Sequence, residues 1–193
     1  MVRGRWQSIH FLALFILGAT LAGVAELPYG GWIQIPILSV IWWWLNRENR
    51  NSVKHLFASG LTFGLGYFVI GLWWIYISLH DVGGMNAALS CMAVFLLSAY
   101  MALYFGLATL ALTLFHKSRY TGLFLAAGWV AMEYLRGYIF TGFPWMGLAE
   151  SQVNGPFAVI APYFGGLGCT FLLVFISWQI LQLKSNFVGT SVS

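Results

Sequence analysis

The chain has 193 residues, 60% of them hydrophobic and 7% charged, with a mean hydropathy of +0.81 and a formal net charge of +4. Soluble domains carry about 25% charged residues, and a soluble fold of this length has no interior large enough for so much apolar surface. Lipid is the expected main solvent, and the modest positive charge, dispersed along four edges of the chain, reads as helix orientation and headgroup contact rather than nucleic-acid affinity.

Apolar runs occupy residues 9–25, 32–45, 56–77, 87–115, 121–136 and 157–183. A helix needs about 20 apolar residues to cross a roughly 30 Å hydrocarbon core. The second run is short and reaches that length only by borrowing residues 27–31; the fifth is short as well. The prediction is an all-α integral membrane protein, a bundle of about six transmembrane helices forming one domain over residues 1–184, with a polar tail at 185–193. Residues 1–25 also resemble a signal peptide, with Gly23-Val24-Ala25 as its cleavage site. Five runs follow, and an uncleaved first helix is expected.

The connectors alternate in charge. Arg3 and Arg5 precede the first run; Arg47, Arg50 and Lys54 lie between the second and third; Lys117 and Arg119 lie between the fourth and fifth; Lys184 follows the sixth. The other three connectors hold one basic residue, Arg136, so eight of nine fall on one side. The positive-inside rule then places both termini in the cytoplasm of a multi-pass protein. Trp42, Trp43 and Trp44 at the inner end of the second run, and Trp73, Trp74 and Tyr76 at the outer end of the third, read as interfacial aromatic belts.

Within the runs, Gly60 and Gly64 form a GxxxG, and Ser98, Ala102 and Gly106 repeat at four-residue spacing, patterns that let helix backbones approach closely. Gly165, Gly166 and Gly168 follow no strand and read as packing rather than a phosphate loop. Cys91 and Cys169 lie in apolar runs, giving neither a disulfide framework nor a zinc pattern. His80-Asp81 is an external His/Asp pair. Adjacent residues on a turn are expected to point apart, and no further metal ligands lie nearby. Glu26 and Glu133 sit near outer helix ends rather than at the bilayer midplane, which argues against a small transporter.

The third external connector differs from the rest. From Glu133 to Gln152 it alternates polar groups, glycines and large aromatics, and Gly142 and Pro144 interrupt helical continuation. Such a stretch lies at the interface rather than crossing. Glu133 and Arg136, three apart, are spaced to pair on one helical face. Arg136 carries five N–H donors suited to a phosphate, with Phe140, Phe143 and Trp145 as an apolar floor for acyl chains and Pro144 fixing the turn. The competing reading is an ion pair and an interfacial belt with no ligand.

At these residues a family resemblance emerges. Leu135-Arg136-Gly137-Tyr138-Ile139-Phe140-Thr141-Gly142-Phe143-Pro144-Trp145 resembles the signature of bacterial apolipoprotein N-acyltransferases. Further stretches match in order: Phe57 to Phe68 with Gly71 and Trp74, Leu79 to Met85, then Gln152, Pro156 and Ala161 to Gly166. The resemblance covers about residues 10–180. It implies an inner-membrane acyltransferase that takes an acyl chain from a phospholipid, holds it as a thioester and passes it to a lipoprotein's N-terminal amine. It implies lipid- or substrate-binding roles for Trp74, Arg136, Phe140, Thr141, Phe143, Pro144, Trp145 and Gln152. It also implies that the chemistry belongs to an external nitrilase-like domain bearing a Glu-Lys-Cys triad.

This sequence stops after the sixth run, and no such domain is read in it. Its lysines, Lys54, Lys117 and Lys184, all sit at the cytoplasmic edge. Cys169 lies about 18 Å below the outer start of its helix and Cys91 is farther from every lysine, so no thiolate and base meet. No catalytic residue, cofactor or metal is expected in residues 1–193. The expectation is a truncated membrane part, inactive alone, with a separately encoded catalytic domain as a further partner. The alternative is a non-catalytic lipid-binding or assembly protein derived from the same family.

Overall fold

The computed structural model describes residues 2–47, 52–115 and 118–189, with side chains placed over 8–46, 52–115 and 118–183. Arg50 and Lys117 lie outside the described residues, as do the last four residues of the expected tail and the side chains of Arg3, Arg5, Arg47 and Lys184. Among the described residues every element is helical. The helices are α1 (Val2–Ala25), α2 (Gly30–Arg47), α3 (Val53–Gly71), α4 (Trp73–Ile77), α5 (Ala87–Thr109), α6 (Ala111–Leu114), α7 (Thr121–Arg136) and α8 (Ala161–Gly189). A π-helical turn, Ser78–Val82, follows α4, and three 3-10 turns lie between α7 and α8.

Among the described residues four stretches are long and apolar enough to cross a membrane: Ser8–Ala25, Val53–Gly71, Ala87–Leu114 and Ala158–Leu183. Of the six expected crossings four meet this criterion, and α2 and α7 do not. α2 has 18 residues including Gln34, Pro36 and the polar end Asn46-Arg47. α7 has 16, about 24 Å at 1.5 Å per residue, and ends at a buried cation. Three boundaries move too. The third run breaks at Leu72 and continues through α4 into the π turn. The sixth helix starts at Ala161 after a 3-10 turn, and α8 runs on to Gly189, into the expected polar tail.

The long helices close into a ring in the order α1, α3, α5, α7, α8, α2, and back to α1. Apolar burial gives no drive between helices already in lipid, so close fit decides the neighbours. The small residues supply that fit. A Cβ on Gly18 would overlap the Phe63 carbonyl oxygen, and one on Gly66 the Phe15 carbonyl, so α1 and α3 touch backbone to backbone. Gly60 and Gly64 lie against Thr109, Phe105 and Ala102, and Gly106 against Phe57, so the expected contact ridges are where α3 meets α5.

Aromatic side chains fill the middle of the ring. Trp129 on α7 meets Phe105 at 4.4 Å and Trp42 at 5.4 Å between ring centroids, and Phe63 stacks on Phe105 at 5.7 Å. The belt reading is corrected for Trp42, which is fully buried and donates its Nε1–H to Ser177 Oγ at 2.8 Å. Successive helical residues point about 100° apart, so three adjacent tryptophans cannot share one environment. Trp43 faces outward. Trp44 donates to His10 Nδ1 at 2.9 Å. Indole only donates, so that nitrogen is unprotonated and the ring hydrogen on Nε2 goes to Ser59 Oγ at 2.9 Å.

The backbone contact at Gly18 sets an expected cost. Gly18→Ala must push α1 from α3 and lowers stability by about 1–3 kcal/mol. Gly23, whose Cβ would meet nothing within 4 Å, is the matched control. Gly23→Ala leaves stability unchanged or raises it by up to about 1 kcal/mol, as propensity alone dictates. Denaturant unfolding of both variants in one detergent checks the pair.

Candidate functional site

Beyond α7 the chain folds back over the end of the ring at which α7 stops. Gly137 N–H bonds the Glu133 and Tyr134 carbonyls at 3.1 and 3.0 Å, ending the helix. Phe143 N–H returns to the Arg136 carbonyl at 2.9 Å. The turn between them is strained: Phe140, Thr141 and Gly142 have φ of 53°, 71° and 82° in succession. Glycine takes such angles freely, whereas the two side-chain-bearing residues hold theirs only because the surroundings over-determine them. A Cβ on Gly142 would overlap the Gly137 carbonyl oxygen, so the tight return requires glycine there.

Two side chains from the last turn of α7 hold the segment down. Arg136 is 2% exposed, donates Nη1–H to the Trp145 carbonyl at 2.8 Å, and lies over the Phe68 ring at 5.2 Å. Its Nε is buried without a partner. A cation at a helix C-terminus is favoured by the backbone dipoles. Glu133 accepts from Leu148 N–H at 3.0 Å and from Thr170 Oγ1–H at 2.9 Å, joining α7, the outer segment and α8. Glu133 and Arg136 make no direct ion pair; among the described residues the His/acid contact His80–Asp81, at 4.0 Å, is the closest approach of that kind. Each charge instead grips backbone of the segment. Met146, with φ of 64°, pushes its side chain against Gly71, where any Cβ would overlap it.

The candidate residues are brought together in part. Arg136, Phe143 and Trp145 are contiguous, the two rings 5.0 Å apart, with Trp145 half-exposed. Pro144 between them is exposed. Phe140 is 82% exposed and rests edge-on against Tyr100 at 5.8 Å, and Thr141 beside it is exposed. Trp74, on α4, is half-exposed.

The sequence model described as the apolipoprotein N-acyltransferase N-terminal domain matches residues 18–179, most of the ring and all of this segment. The chain belongs to that family. It is 32% identical over 176 residues to the apolipoprotein N-acyltransferase of Pasteurella multocida, covering 91% of this chain and 33% of that protein. The corresponding figures are 33% over 180 residues, 91% and 34% for the Shewanella oneidensis enzyme, and 37% over 189 residues, 92% and 36% for that of Nitrosomonas europaea. The chain thus spans about a third of the length of the curated relatives it matches.

In this apolipoprotein N-acyltransferase domain, Gln152 sits apart from the arginine. It is 1% exposed and donates Nε2–H to the Gly31 carbonyl at 3.0 Å and to Gln34 Oε1 at 3.1 Å. A carbonyl only accepts, which fixes which end of the Gln152 amide faces Gly31. Gln34, Thr170, Gly71 and Met146 were not legible as site residues. Each contacts its partner from a distant stretch of chain, and the one available signal was an isolated polar residue, Gln34 or Thr170, inside an apolar run. Below Gln152 a cleft of about 420 Å³, lined by Ala149, Gln152, Ala161, Gly166 and Cys169 among others, opens beside the start of α8. Cys169 is buried at its edge, its thiol 3.5 Å from the Phe157 carbonyl.

The two glutamines yield a stability prediction. Gln152→Leu strands Gln34 Oε1, removes the second bond to the Gly31 carbonyl, and costs about 1–3 kcal/mol. Adding Gln34→Leu removes the stranded acceptor, so the double variant loses less than the sum of the singles. A double-mutant cycle by thermal unfolding measures it.

Proposed function

We propose that residues 1–193 form the lipid-collecting membrane part of an apolipoprotein N-acyltransferase in a bacterial inner membrane. The carrying observation is the family match across residues 18–179 together with an outer segment that presents aromatics while its backbone is pinned from beneath. In this reading all six long helices cross the bilayer with both termini cytoplasmic. The short α2 and α7 are accommodated by longer neighbours and local thinning. The outer segment caps α7 at the interface, and irregular backbone there is tolerable because Arg136 and Glu133 bond it from beneath.

The ligand is a phospholipid of the outer leaflet. Phe140 and Trp145, with Phe143 behind them and Trp74 across the rim, take its acyl chains. Arg136, buried beneath the segment, holds Trp145 in position through its carbonyl. Thr141 and Pro144 keep the strained turn in place, and Gln152 holds the base of the segment to α2. Acyl transfer to a lipoprotein's N-terminal amine needs a thiolate and a base that these helices do not assemble: Cys169 is buried against a carbonyl, and Lys54 is at the far end of α3 from Cys91. The transfer is assigned to a catalytic domain acting with this one.

Two measurements test the reading. With Cys91 and Cys169 replaced, single cysteines at Asn86 and Gly155 should label from outside, and those at Asn51 and Ser118 only from inside. External labelling at Asn51 or Ser118 overturns the topology. In native mass spectrometry, Trp145→Ala should lower phospholipid retention through lost apolar contact, and Arg136→Gln should lower it by releasing the Trp145 carbonyl. Unchanged retention in both reduces the segment to an anchor.

A further inference from the structure

The π-helical turn at the outer end of the α3–α4 rod carries a pair of groups that the lipid-collecting reading does not use. His80 and Asp81 were expected to diverge as neighbours on a turn. They converge instead, His80 Nε2 lying 4.0 Å from Asp81 Oδ1. The cause is the wider turn of Ser78–Val82, closed by Gly83 N–H to the Ser78 carbonyl at 3.0 Å, which changes the angle between successive side chains. Single π turns recur at functional sites.

The imidazole is oriented from behind. His80 Nδ1 is 2.7 Å from the Met85 carbonyl oxygen, and a carbonyl only accepts, so Nδ1 carries the hydrogen. The Nε2 lone pair is therefore the one on the Asp81 side. The chain closes on the ring through Gly84, whose φ of 69° turns Met85 back, with Met85 N–H on the Leu79 carbonyl at 2.9 Å. Tyr76 packs against the ring at 5.3 Å. An N–H to carbonyl bond behind an outward Nε2 is how metal-ligating histidines are held in tautomer and direction. Both side chains are accessible, at 39% and 57% exposure.

We infer that His80 Nε2 and Asp81 form a divalent-cation site on the outer face, taking a borderline ion such as Zn²⁺ or Cu²⁺. Imidazole with one carboxylate suits those ions and not Mg²⁺ or Ca²⁺, which prefer all-oxygen shells. Ligand atoms on one tetrahedral zinc lie about 3.3 Å apart, given bonds near 2.1 Å, so a small rotation of the exposed Asp81 carboxylate closes the site. Among the described residues no group of three or more His, Cys, Asp or Glu gathers around a metal. The ion thus has two protein ligands, its other positions being filled by water or an external anion.

Calorimetric titration of the untagged full chain with ZnCl₂ in a non-chelating buffer tests the assignment. One zinc per chain is expected, with Cu²⁺ giving an electron paramagnetic resonance signal split by one imidazole nitrogen. His80→Asn retains an N–H for the Met85 carbonyl but has no Nε2; it should weaken zinc binding at least about tenfold, as should Asp81→Asn. Unchanged affinity in His80→Asn overturns the site. An effect of His80→Asn with none from Asp81→Asn overturns the two-ligand geometry. Should His80→Asn fail to fold, Asp81→Asn on its exposed turn decides, because lost or retained affinity there is read against the same wild-type titration.

Discussion

In hydrocarbon a polar group has no water to fall back on, so each one that enters must find a partner within the protein. That constraint organises this molecule. Glu133 is shared between a backbone N–H and Thr170, Arg136 between a carbonyl and an aromatic face, and Gln152 between Gly31 and Gln34. His10 is captured between Trp44 and Ser59 at the other end. Each partnership crosses from one helix or turn to another. The polar groups thereby specify which elements meet, a role that apolar side chains cannot perform among equally apolar lipids.

Close backbone approach supplies the attraction that the polar pairs direct. α3 sits between α1 and α5 because glycines on both of its contact faces let neighbouring carbonyls and side chains reach the helix axis distance that dispersion rewards. The large aromatics then fill the middle of the ring, where Trp129 of α7 meets Phe105 of α5 and Trp42 of α2. Small residues at one seam and indoles at the other are two answers to the same packing requirement.

The end of the ring beyond α4 and α7 differs in its backbone. There the chain departs from α-helix, with a π turn after α4, consecutive positive φ values at Phe140 to Gly142, and three 3-10 turns before α8. Irregular backbone is affordable where Arg136 and Glu133 satisfy it from below and solvent from above. Phe140, Pro144 and Trp145 are exposed on this face.

Composition and the spacing of apolar runs were enough, by themselves, to determine an all-helical membrane protein, its approximate helix limits and the contact ridges of α3 and α5. These properties are local, depending on solvent and on residues a few positions apart. The family was legible as well, because its motifs lie in short contiguous stretches. Tertiary structure alone decided that Trp42 is core while Trp43 faces out, that Arg136 turns inward to a carbonyl nine residues on, and that Glu133 bonds Leu148 and Thr170 in place of Arg136. It also decided that Gln34 and Gln152 meet across more than a hundred residues, and that a π turn aims His80 at Asp81. For Trp42, Glu133 and the two glutamines the physical reason is common. A one-dimensional pattern gives the face on which a side chain sits, whereas its partner depends on which other helix, brought from far along the chain, presents a complementary atom at hydrogen-bond or van der Waals distance.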